Sequence, residues 1–385
     1  MPFLGDGDEV PQPPQIHRFT IPIRYRANRN GVGDPRTWSR GSNVTAKQRS
    51  QRMSDLDLRI GTFRYDTTEA LFDGSVTVDG VRSTTMSTAA TLPEIFERMV
   101  YGDGVDVSEF GMTFLLRALD QGVPFVAIPA FPARVFRHSC VFVNAESGIT
   151  EPTDLVGKTI GEFGIYGQDS GVWAKGILAD EHGFRPERNR WVIGGLDHPT
   201  PPFEFTSHPH PADLDITAAP EGRTLSAMLD SGEIDALFTA NVPQPFLDGS
   251  PNITRLFGDY EPLERDYYRR TGNFPMMHTI VAREELLETH PGLARAVYAA
   301  FCDAKEAGAE RYRRFRRLYE TPVMLPWVNA LMEENDRLFG EDWWPYGVSA
   351  NWTALDTFLR YHHEQGLSAR RWTVEEIIAP DLLDT

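Results

Sequence analysis

Residues able to bind an anion and move a proton are concentrated in one segment of the sequence, residues 125–144. The two apolar runs at its ends have the composition of buried strands. Cationic side chains and an imidazole at the mouths of buried strands suit a carboxylate ligand. Structural ion-pair networks use the same residue types, so the segment alone supports both interpretations equally. The polar side chains between the runs are Arg134, Arg137, His138 and Ser139.

Further candidates follow other predicted strands. Tyr65 and Asp66 come directly after the first strand, and Ser108 and Glu109 end a short strand that begins at residue 105. Ligands of open α/β sheets lie beyond the carboxyl ends of the strands, which makes these four predicted site residues. Local roles fit equally well, with Asp66 or Ser108 capping a helix and Glu109 complementing a helix dipole.

The segment 125–144 resembles the corresponding part of the 4,5-dihydroxyphthalate decarboxylase family. The resemblance covers roughly residues 56–384 and runs through long, ordered blocks, which makes it specific to that family. It implies an α/β chain of two lobes, similar in fold to type II periplasmic binding proteins, with a cleft between the lobes. The other blocks that carry it are residues 65–71, 106–109, 267–272, 274–278, 342–347 and 364–367.

This resemblance and the succession of βαβ-like units predict the domain organisation. Lobe 1 is expected to be discontinuous, formed by residues 55–146 and 272–385 with helices at its C-terminal end. Lobe 2 is expected to span residues 147–271. Residues 1–54 form a basic extension that the resemblance does not cover.

The expected fold adds candidates from the second lobe and the return crossing. Glu162 and Tyr166 follow a strand and precede a helix predicted over residues 172–182, whose first amides are suited to hold a carboxylate. Asn241 ends a strand expected to lead back to the hinge. Arg269 and His278 lie on the predicted return to lobe 1, and His278 begins a strand.

The family's substrate carries two adjacent carboxylates, each para to a hydroxyl. Direct loss of CO2 would leave an aryl carbanion, whereas removing the para hydroxyl proton lets the ring carbon accept a proton before CO2 leaves. Such a site needs a base, an acid and a cation on the retained carboxylate. We expect His138 as acid or base, Glu109 or Glu162 as its partner, and one arginine among Arg134, Arg137 and Arg269 on the retained carboxylate.

Composition narrows the function classes. A net charge of −17 argues against nucleic-acid binding. No apolar run approaches the length of a membrane span, and the N-terminus lacks the features of a secretory signal. Two cysteines outside any paired motif fit a reducing cytoplasm. Residues 1–54 carry nine Lys/Arg against four Asp/Glu, so this arm could dock on the acidic remainder of its own chain, join a homo-oligomer or stay solvated.

No cofactor or metal is expected. The segment 154–161 superficially resembles a phosphate-binding loop but has Pro152 where the first glycine is required. The histidines at 198, 208 and 210 lie among prolines without a usual ligand spacing. The leading hypothesis is therefore a cofactor-free decarboxylase of a hydroxylated aromatic carboxylate, most simply 4,5-dihydroxyphthalate to protocatechuate.

Three alternatives remain. A solute-binding protein that holds an aromatic acid without reaction would have the same fold. A related decarboxylase could act on a different ring acid. A metal-dependent decarboxylase or hydrolase would use the histidines.

Overall fold

The computed structural model of the chain describes residues 53–318 and 323–385. The basic extension predicted over residues 1–54 lies outside the described residues, apart from its last two. That this arm contributes to a homo-oligomer stays a prediction.

The first lobe is built on a five-stranded sheet. Its strand order is β2-β1-β3-β11-β4, where β11 (His278–Arg283) comes from the last part of the chain. Strand β1 runs parallel to β2 and β3, and β11 runs antiparallel to both of its neighbours. Apolar side chains alternate along β1, whereas all of β3 is buried, as expected of a central strand. The edge strand β4 is also buried along its whole length. The elements before the first crossing are β1 (Asp57–Gly61), α1 (Glu69–Phe72), β2 (Ser83–Ser87), α2 (Leu92–Tyr101), β3 (Val107–Gly111), α3 (Met112–Asp120) and β4 (Phe125–Ile128).

The second lobe is built on a six-stranded sheet of order β10-β5-β9-β6-β7-β8. Strands β9, β6, β7 and β8 are parallel, and β5 is antiparallel to β9 and β10. The two separate sheets confirm the predicted two-lobed α/β fold class. The elements are β5 (Val141–Asn144), β6 (Thr159–Phe163), α4 (Asp169–His182), β7 (Arg190–Gly194), β8 (Asp215–Ala218), α5 (Leu225–Asp230), β9 (Ala236–Phe238), α6 (Gln244–Leu247), β10 (Ile253–Arg255) and α7 (Tyr260–Thr271).

The last part of the chain returns to the first lobe. β11 inserts between β3 and β4, and Ile378 forms a bridge with Ala127 of β4, which attaches the C-terminal helices to the first sheet. No helix in the described part of the chain has both the length and the hydropathy to cross a membrane. The elements are β11 (His278–Arg283), α8 (Glu284–Thr289), α9 (Leu293–Arg316), α10 (Val328–Phe339), α11 (Trp352–Glu364) and α12 (Val374–Ile377).

The first crossing comes earlier in the chain than the predicted boundary after residue 146. β5 pairs with β9 through Val141–Phe238 and lies wholly in the second sheet. The segment 125–144 therefore has one apolar run in each lobe, and its polar middle is the connection between them. Arg134 and Met276 form an antiparallel bridge between the outgoing and returning connections.

The lobes also meet away from the two connections. Helix α11, attached to the first lobe, packs on α4 of the second. Trp173 of α4 is fully buried beside Tyr361 of α11, with ring centroids 5.7 Å apart. Asp180 accepts hydrogen bonds from the Tyr361 hydroxyl (2.7 Å) and from Arg360 (2.6 Å). We call this contact the α4–α11 interface.

Candidate active site

The strongest constellation of chemical groups is a buried carboxylate and imidazole on neighbouring strands. Glu109 of β3 is fully buried, and His278 is the first residue of β11. The Nδ1 atom of His278 lies 2.6 Å from Oε1 of Glu109. A carboxylate only accepts hydrogen bonds, so Nδ1 carries the proton and donates it. In the neutral ring Nε2 is then the basic nitrogen, and in the protonated ring the imidazole carries a positive charge.

The Glu109 carboxylate already accepts four hydrogen bonds and is therefore not available as an acid or a base. Besides His278, it accepts hydrogen bonds from the Thr62 hydroxyl (2.7 Å), the Phe63 amide (3.1 Å) and the Tyr65 hydroxyl (2.9 Å). Burial tends to raise the pKa of Glu109, but the hydrogen bond and charge of His278, with the other donors, leave that pKa below its usual value. Glu109 is an anionic group that orients the imidazole. Burial and the charge of Glu109 raise the pKa of Tyr65, so its phenol stays protonated and donates.

A second carboxyl group reaches this cluster from the other lobe. Asp169 is the first residue of α4 and is almost fully buried, and its Oδ1 accepts a hydrogen bond from the Thr113 amide (2.7 Å). Its Oδ2 occupies the space beside Gly111 that a side chain would fill, because a Cβ added there would overlap that oxygen. Glycine at position 111 is what allows the carboxyl group to reach the sheet.

Sheet geometry places Asp169, Glu109 and His278 together. Residues two apart on a strand face the same side, so Glu109 and the vacant side-chain position of Gly111 share one face of β3. Gly111 and His278 are directly opposed partners in the antiparallel ladder, so their side-chain positions also share that face. The Oδ2 atom of Asp169 therefore lies at the side-chain position opposed to His278, and the charge of His278 acts on the Asp169 carboxyl group.

The surroundings place the pKa of the Asp169 carboxyl group well above its usual value. Burial raises the pKa of its carboxyl group to about 6. The opposing influences are the charge of His278, the Thr113 amide and the guanidinium groups of Arg117 and Arg137. Oδ2 is buried and has no hydrogen-bond partner among the described residues, an uncommon state for a buried oxygen.

Arg137 lies on the first connection and is a buried cation with donors to spare. Its only hydrogen bond within the described ranges goes from a terminal nitrogen to the Cys140 sulfur (3.4 Å), and its Nε is buried without a partner. It forms no ion pair with any carboxylate of residues 53–318 and 323–385, although its charge acts on Asp169 and on Glu264. Asp169, Glu109 and His278 are called the Asp169 cluster below. A guanidinium with free donors beside this cluster is suited to receive a carboxylate.

His138, predicted as the acid or base, lies in a different environment from Glu109 and His278. Its Nε2 is 3.8 Å from Glu181, and its ring contacts Tyr267 and Phe257 beside a cavity of about 420 Å³. Burial lowers the pKa of His138 despite the charge of Glu181. Ser139 next to it donates its amide to Glu264 (2.9 Å). The structure gives His138 no hydrogen bond to the Asp169 cluster.

Glu162, predicted as a catalytic partner, is instead half of a buried ion pair within the second lobe. Its Oε2 lies 2.5 Å from the Lys175 ammonium, and its Oε1 accepts the Gly167 amide (2.9 Å). The Lys175 nitrogen also lies 3.7 Å from the centroid of the Tyr166 ring, which places that predicted ligand residue in the same cluster. Burial raises the pKa of Glu162 and lowers that of Lys175 to about 8. The pair anchors the loop that leads into α4.

The remaining predicted site residues are engaged elsewhere. Arg134 is buried, and its guanidinium donates to the carbonyls of Phe274 (3.0 Å) and Pro345 (2.7 Å) and to Asn351. These hydrogen bonds stabilise the connections between the lobes and occupy the donors that a ligand would need. Ser108 donates to the neighbouring backbone carbonyl (2.9 Å). The residues found on the surface are Asp66, Asn241 and Arg269.

Two curated proteins are similar to this chain in sequence. A curated 4,5-dihydroxyphthalate decarboxylase of Comamonas testosteroni is 36% identical over 334 residues, covering 86% of this chain and 99% of the relative. A second protein of that name, from Pseudomonas putida, is 34% identical over 218 residues, covering 56% of this chain and 83% of the relative. The chain belongs to the 4,5-dihydroxyphthalate decarboxylase family. No family model matches.

Solved structures similar to this member of the decarboxylase family include two sulfonate-binding proteins. The putative SsuA of Methylobacillus flagellatus gives a TM-score of 0.49 at 16% identity, with 86% of this chain and 93% of that chain covered. SsuA of Escherichia coli gives a TM-score of 0.48 at 14% identity, with 86% and 99% covered.

Three residues of this decarboxylase-family chain were not predicted from its sequence. Asp169 lay in a segment assigned to a loop, because the helix was predicted to begin at residue 172; Gln168 caps the helix by accepting the Ser170 amide. Lys175 and Arg117 are fully buried charges inside helices α4 and α3. For Lys175 and Arg117, the sequence signal was a charged residue among the apolar residues of a helix. For Asp169, the signal was an acidic residue directly after a side chain able to cap a helix.

No cluster of three or more histidine, cysteine, aspartate or glutamate side chains among the described residues has a geometry suited to a metal ion. His208 and His210 instead contact the backbone carbonyls of Phe203 and Pro211.

Proposed function

We propose that this chain decarboxylates 4,5-dihydroxyphthalate to protocatechuate and CO2 without an organic cofactor. The observation that carries the mechanism is the His278 imidazole, which is hydrogen-bonded through Nδ1 to the buried Glu109 and whose Nε2 has no hydrogen bond to any described residue. Membership of the family named for this reaction supports the substrate. A base fixed by a carboxylate, an arginine with unused donors and a carboxyl group on the facing lobe meet the chemical needs of such a substrate.

In the first step, His278 acts as the base. Its Nε2 takes the proton of the hydroxyl para to the departing carboxylate, and the O–H electron pair moves toward the ring. The carbon that bears the carboxylate accepts a proton from a general acid, which solvent then reprotonates. The bond from that carbon to the carboxylate then breaks, CO2 leaves, and the electron pair restores the aromatic ring. His278 returns its proton to the phenolate oxygen, so the net change is replacement of CO2 by a proton.

The retained carboxylate is assigned to Arg137. Of the three arginines considered from the sequence, Arg134 spends its donors on carbonyls and Arg269 is exposed. Arg137 is buried and has donors to spare. A single cation on the retained carboxylate avoids stabilising the departing one, which would favour the ground state over the transition state.

The proposal is tested by CO2 release from metal-stripped protein. After treatment with a chelator, the protein is expected to convert 4,5-dihydroxyphthalate to equal amounts of protocatechuate and CO2 at the rate of untreated protein. Aromatic products are measured by chromatography, with related hydroxybenzoates in parallel. Turnover that returns only when a divalent metal is added would contradict the acid–base scheme. Tight binding without CO2 would favour the solute-binding alternative.

Replacing Arg137 with glutamine is expected to raise KM about 10- to 100-fold, the cost of one charge-assisted hydrogen-bonded contact. Protocatechuate keeps the carboxylate assigned to Arg137, so its inhibition constant should rise by a similar factor. Steady-state kinetics with product inhibition measures both. Arg269→Gln is the matched control and should leave both constants unchanged. A rise in KM without weaker product binding would place Arg137 elsewhere in the reaction.

A cytoplasmic location is part of this proposal. Cys140 and Cys302, the two cysteines of the chain, are both free, which fits a reducing compartment.

A further inference from the structure

We propose that Asp169 is the proton donor to the ring carbon from which CO2 departs. This assignment rests on the proposed function and completes it, since His278 supplies only the base. Asp169 would make the second lobe a participant in the chemistry, with the base on the first lobe and the acid on the other.

The geometry places Asp169 opposite the base on one sheet face. Directly opposed Cβ atoms in an antiparallel pair are about 5 Å apart. His278 is opposed to Gly111, and the Asp169 Oδ2 occupies the side-chain position of Gly111. One aromatic ring lying over this face would therefore meet the Nε2 of His278 and the Oδ2 of Asp169 at the same time.

The hydrogen-bonding state of Asp169 suits a donor. Its Oδ1 is fixed by the Thr113 amide, while its Oδ2 is buried and has no partner in the described part of the chain. A protonated oxygen there would have a proton to give and no competing acceptor. The charged groups acting on it are His278 of β11, Arg117 of α3 and Arg137 of the first connection. Burial outweighs all three and raises the pKa of Asp169 to about 6, so the acid form is populated close to neutrality.

Other acids near the cluster are already engaged. Glu109 is a hydrogen-bonded anion with four donors. Glu162 is paired with Lys175. Glu264 accepts the Ser139 amide and lies on α7.

The step balances without a further reactant. As His278 removes the hydroxyl proton, the ring carbon uses the ring electron pair to form a C–H bond with the Asp169 proton. Asp169 becomes a carboxylate, and the ring becomes a dienone whose tetrahedral carbon carries both the new hydrogen and the carboxylate. Breaking the bond to the carboxylate releases CO2 and returns the electron pair to the ring. Asp169 regains a proton from solvent before the next turnover.

The test compares Asp169→Asn and Asp169→Glu with the wild type. Asparagine keeps the oxygen that accepts the Thr113 amide but cannot donate an acidic proton, so kcat should fall about 10²- to 10⁴-fold, the usual contribution of a general acid. The wild-type kcat/KM should fall as pH rises through the pKa of Asp169, and this limb should be absent in Asp169→Asn. Asp303→Asn on the exposed side of α9 is the matched control and should behave as the wild type.

A second measurement separates proton donation from positioning. In D2O, a wild-type enzyme with a deuterated Asp169 should exchange the hydrogen of protocatechuate at the carbon that had carried CO2, which NMR detects without any decarboxylation. Asp169→Asn should lose this exchange at least about 100-fold, by the same general-acid reasoning, while its affinity for protocatechuate is unchanged. Glutamate keeps an acid, so it should retain part of the exchange and move the alkaline limb of the pH profile.

The outcomes distinguish the two proposals. If the wild type releases no CO2 from 4,5-dihydroxyphthalate, the proposed function fails whatever Asp169 does. If the wild type is active and Asp169→Asn keeps kcat within about threefold, the assignment of Asp169 is overturned, since a general acid contributes at least about 10²-fold. If Asp169→Asn releases CO2 slowly but exchanges the protocatechuate hydrogen at the wild-type rate, the assignment of Asp169 as proton donor is also overturned. If asparagine prevents folding, an unchanged pH profile in Asp169→Glu would overturn it.

Discussion

Replacing His278 with asparagine is expected to lower kcat by about 10²- to 10⁴-fold while leaving substrate affinity nearly unchanged. Asparagine places an amide N–H where the Nδ1–H of His278 stands, so Glu109 keeps its donor and the buried carboxylate is not left unpaired. What disappears is the basic Nε2. The experiment therefore removes the base without disturbing the hydrogen-bond network that holds it, and steady-state kinetics reads the result.

The matched control is His198→Asn, at an exposed histidine in the loop after β7. It should retain the wild-type kcat. Added imidazole should restore part of the activity of His278→Asn, because the lost ring leaves space beside Glu109. An unimpaired His278→Asn enzyme would rule His278 out as the base and return attention to His138. Parallel assays of His138→Asn make that comparison direct.

Replacing Lys175 with methionine is expected to reduce the free energy of unfolding by about 3–5 kcal/mol. Methionine fills similar space but leaves Glu162 buried without its counter-ion. The cost should be smallest at acidic pH. Burial raises the folded-state pKa of Glu162 above its unfolded value, so the protonated form supports the fold at low pH, and that support is lost as pH rises through the folded-state pKa. Chemical denaturation at pH 5 and pH 8 measures the difference.

A double variant shows whether the loss is due to the unpaired charge. Glu162→Gln keeps an oxygen for the Gly167 amide, so Lys175→Met combined with Glu162→Gln should recover most of the lost stability. Lys305→Met, at a partly exposed ion pair with Asp342, should cost at most about 1 kcal/mol. Equal stability of Lys175→Met and the wild type would mean that the aromatic rings around Lys175, not its charge, define this part of the core.

The family resemblance and the succession of βαβ-like units predicted the two lobes, and periodicity predicted individual strands because apolar runs and strand ends are local properties. Arg134 and Arg137 show where such reasoning stops. They are three residues apart and chemically alike, yet one is bound by carbonyls of the returning connection and the other has free donors. The partners that separate them come from residues 274 and 345, far along the chain. No pattern near residue 134 carries that information.

Some residues of the proposed site were candidates from the sequence. Glu109 and His278 were candidates because of their places on strands, but their pairing depends on the antiparallel ladder between β3 and β11. Asp169 was missed because its role arises from contact with Gly111, and a glycine that makes room for a distant side chain is indistinguishable in sequence from one that makes a turn. Glu162 was a catalytic candidate because it follows a strand and precedes a helix, and its ion pair with Lys175 depends on how that helix packs.

The α4–α11 interface has a consequence for how this molecule exchanges its ligands. A receptor with two hinged lobes releases its cargo by swinging them apart. Here such a swing at α4 would draw Trp173 away from Tyr361 and break the contacts of Asp180 with Arg360 and Tyr361. Exposing a buried tryptophan alone costs on the order of 3 kcal/mol. Substrate entry and the escape of CO2 are therefore expected to rely on small movements of loops and side chains at the cleft, with Asp169 and His278 kept in register from one turnover to the next.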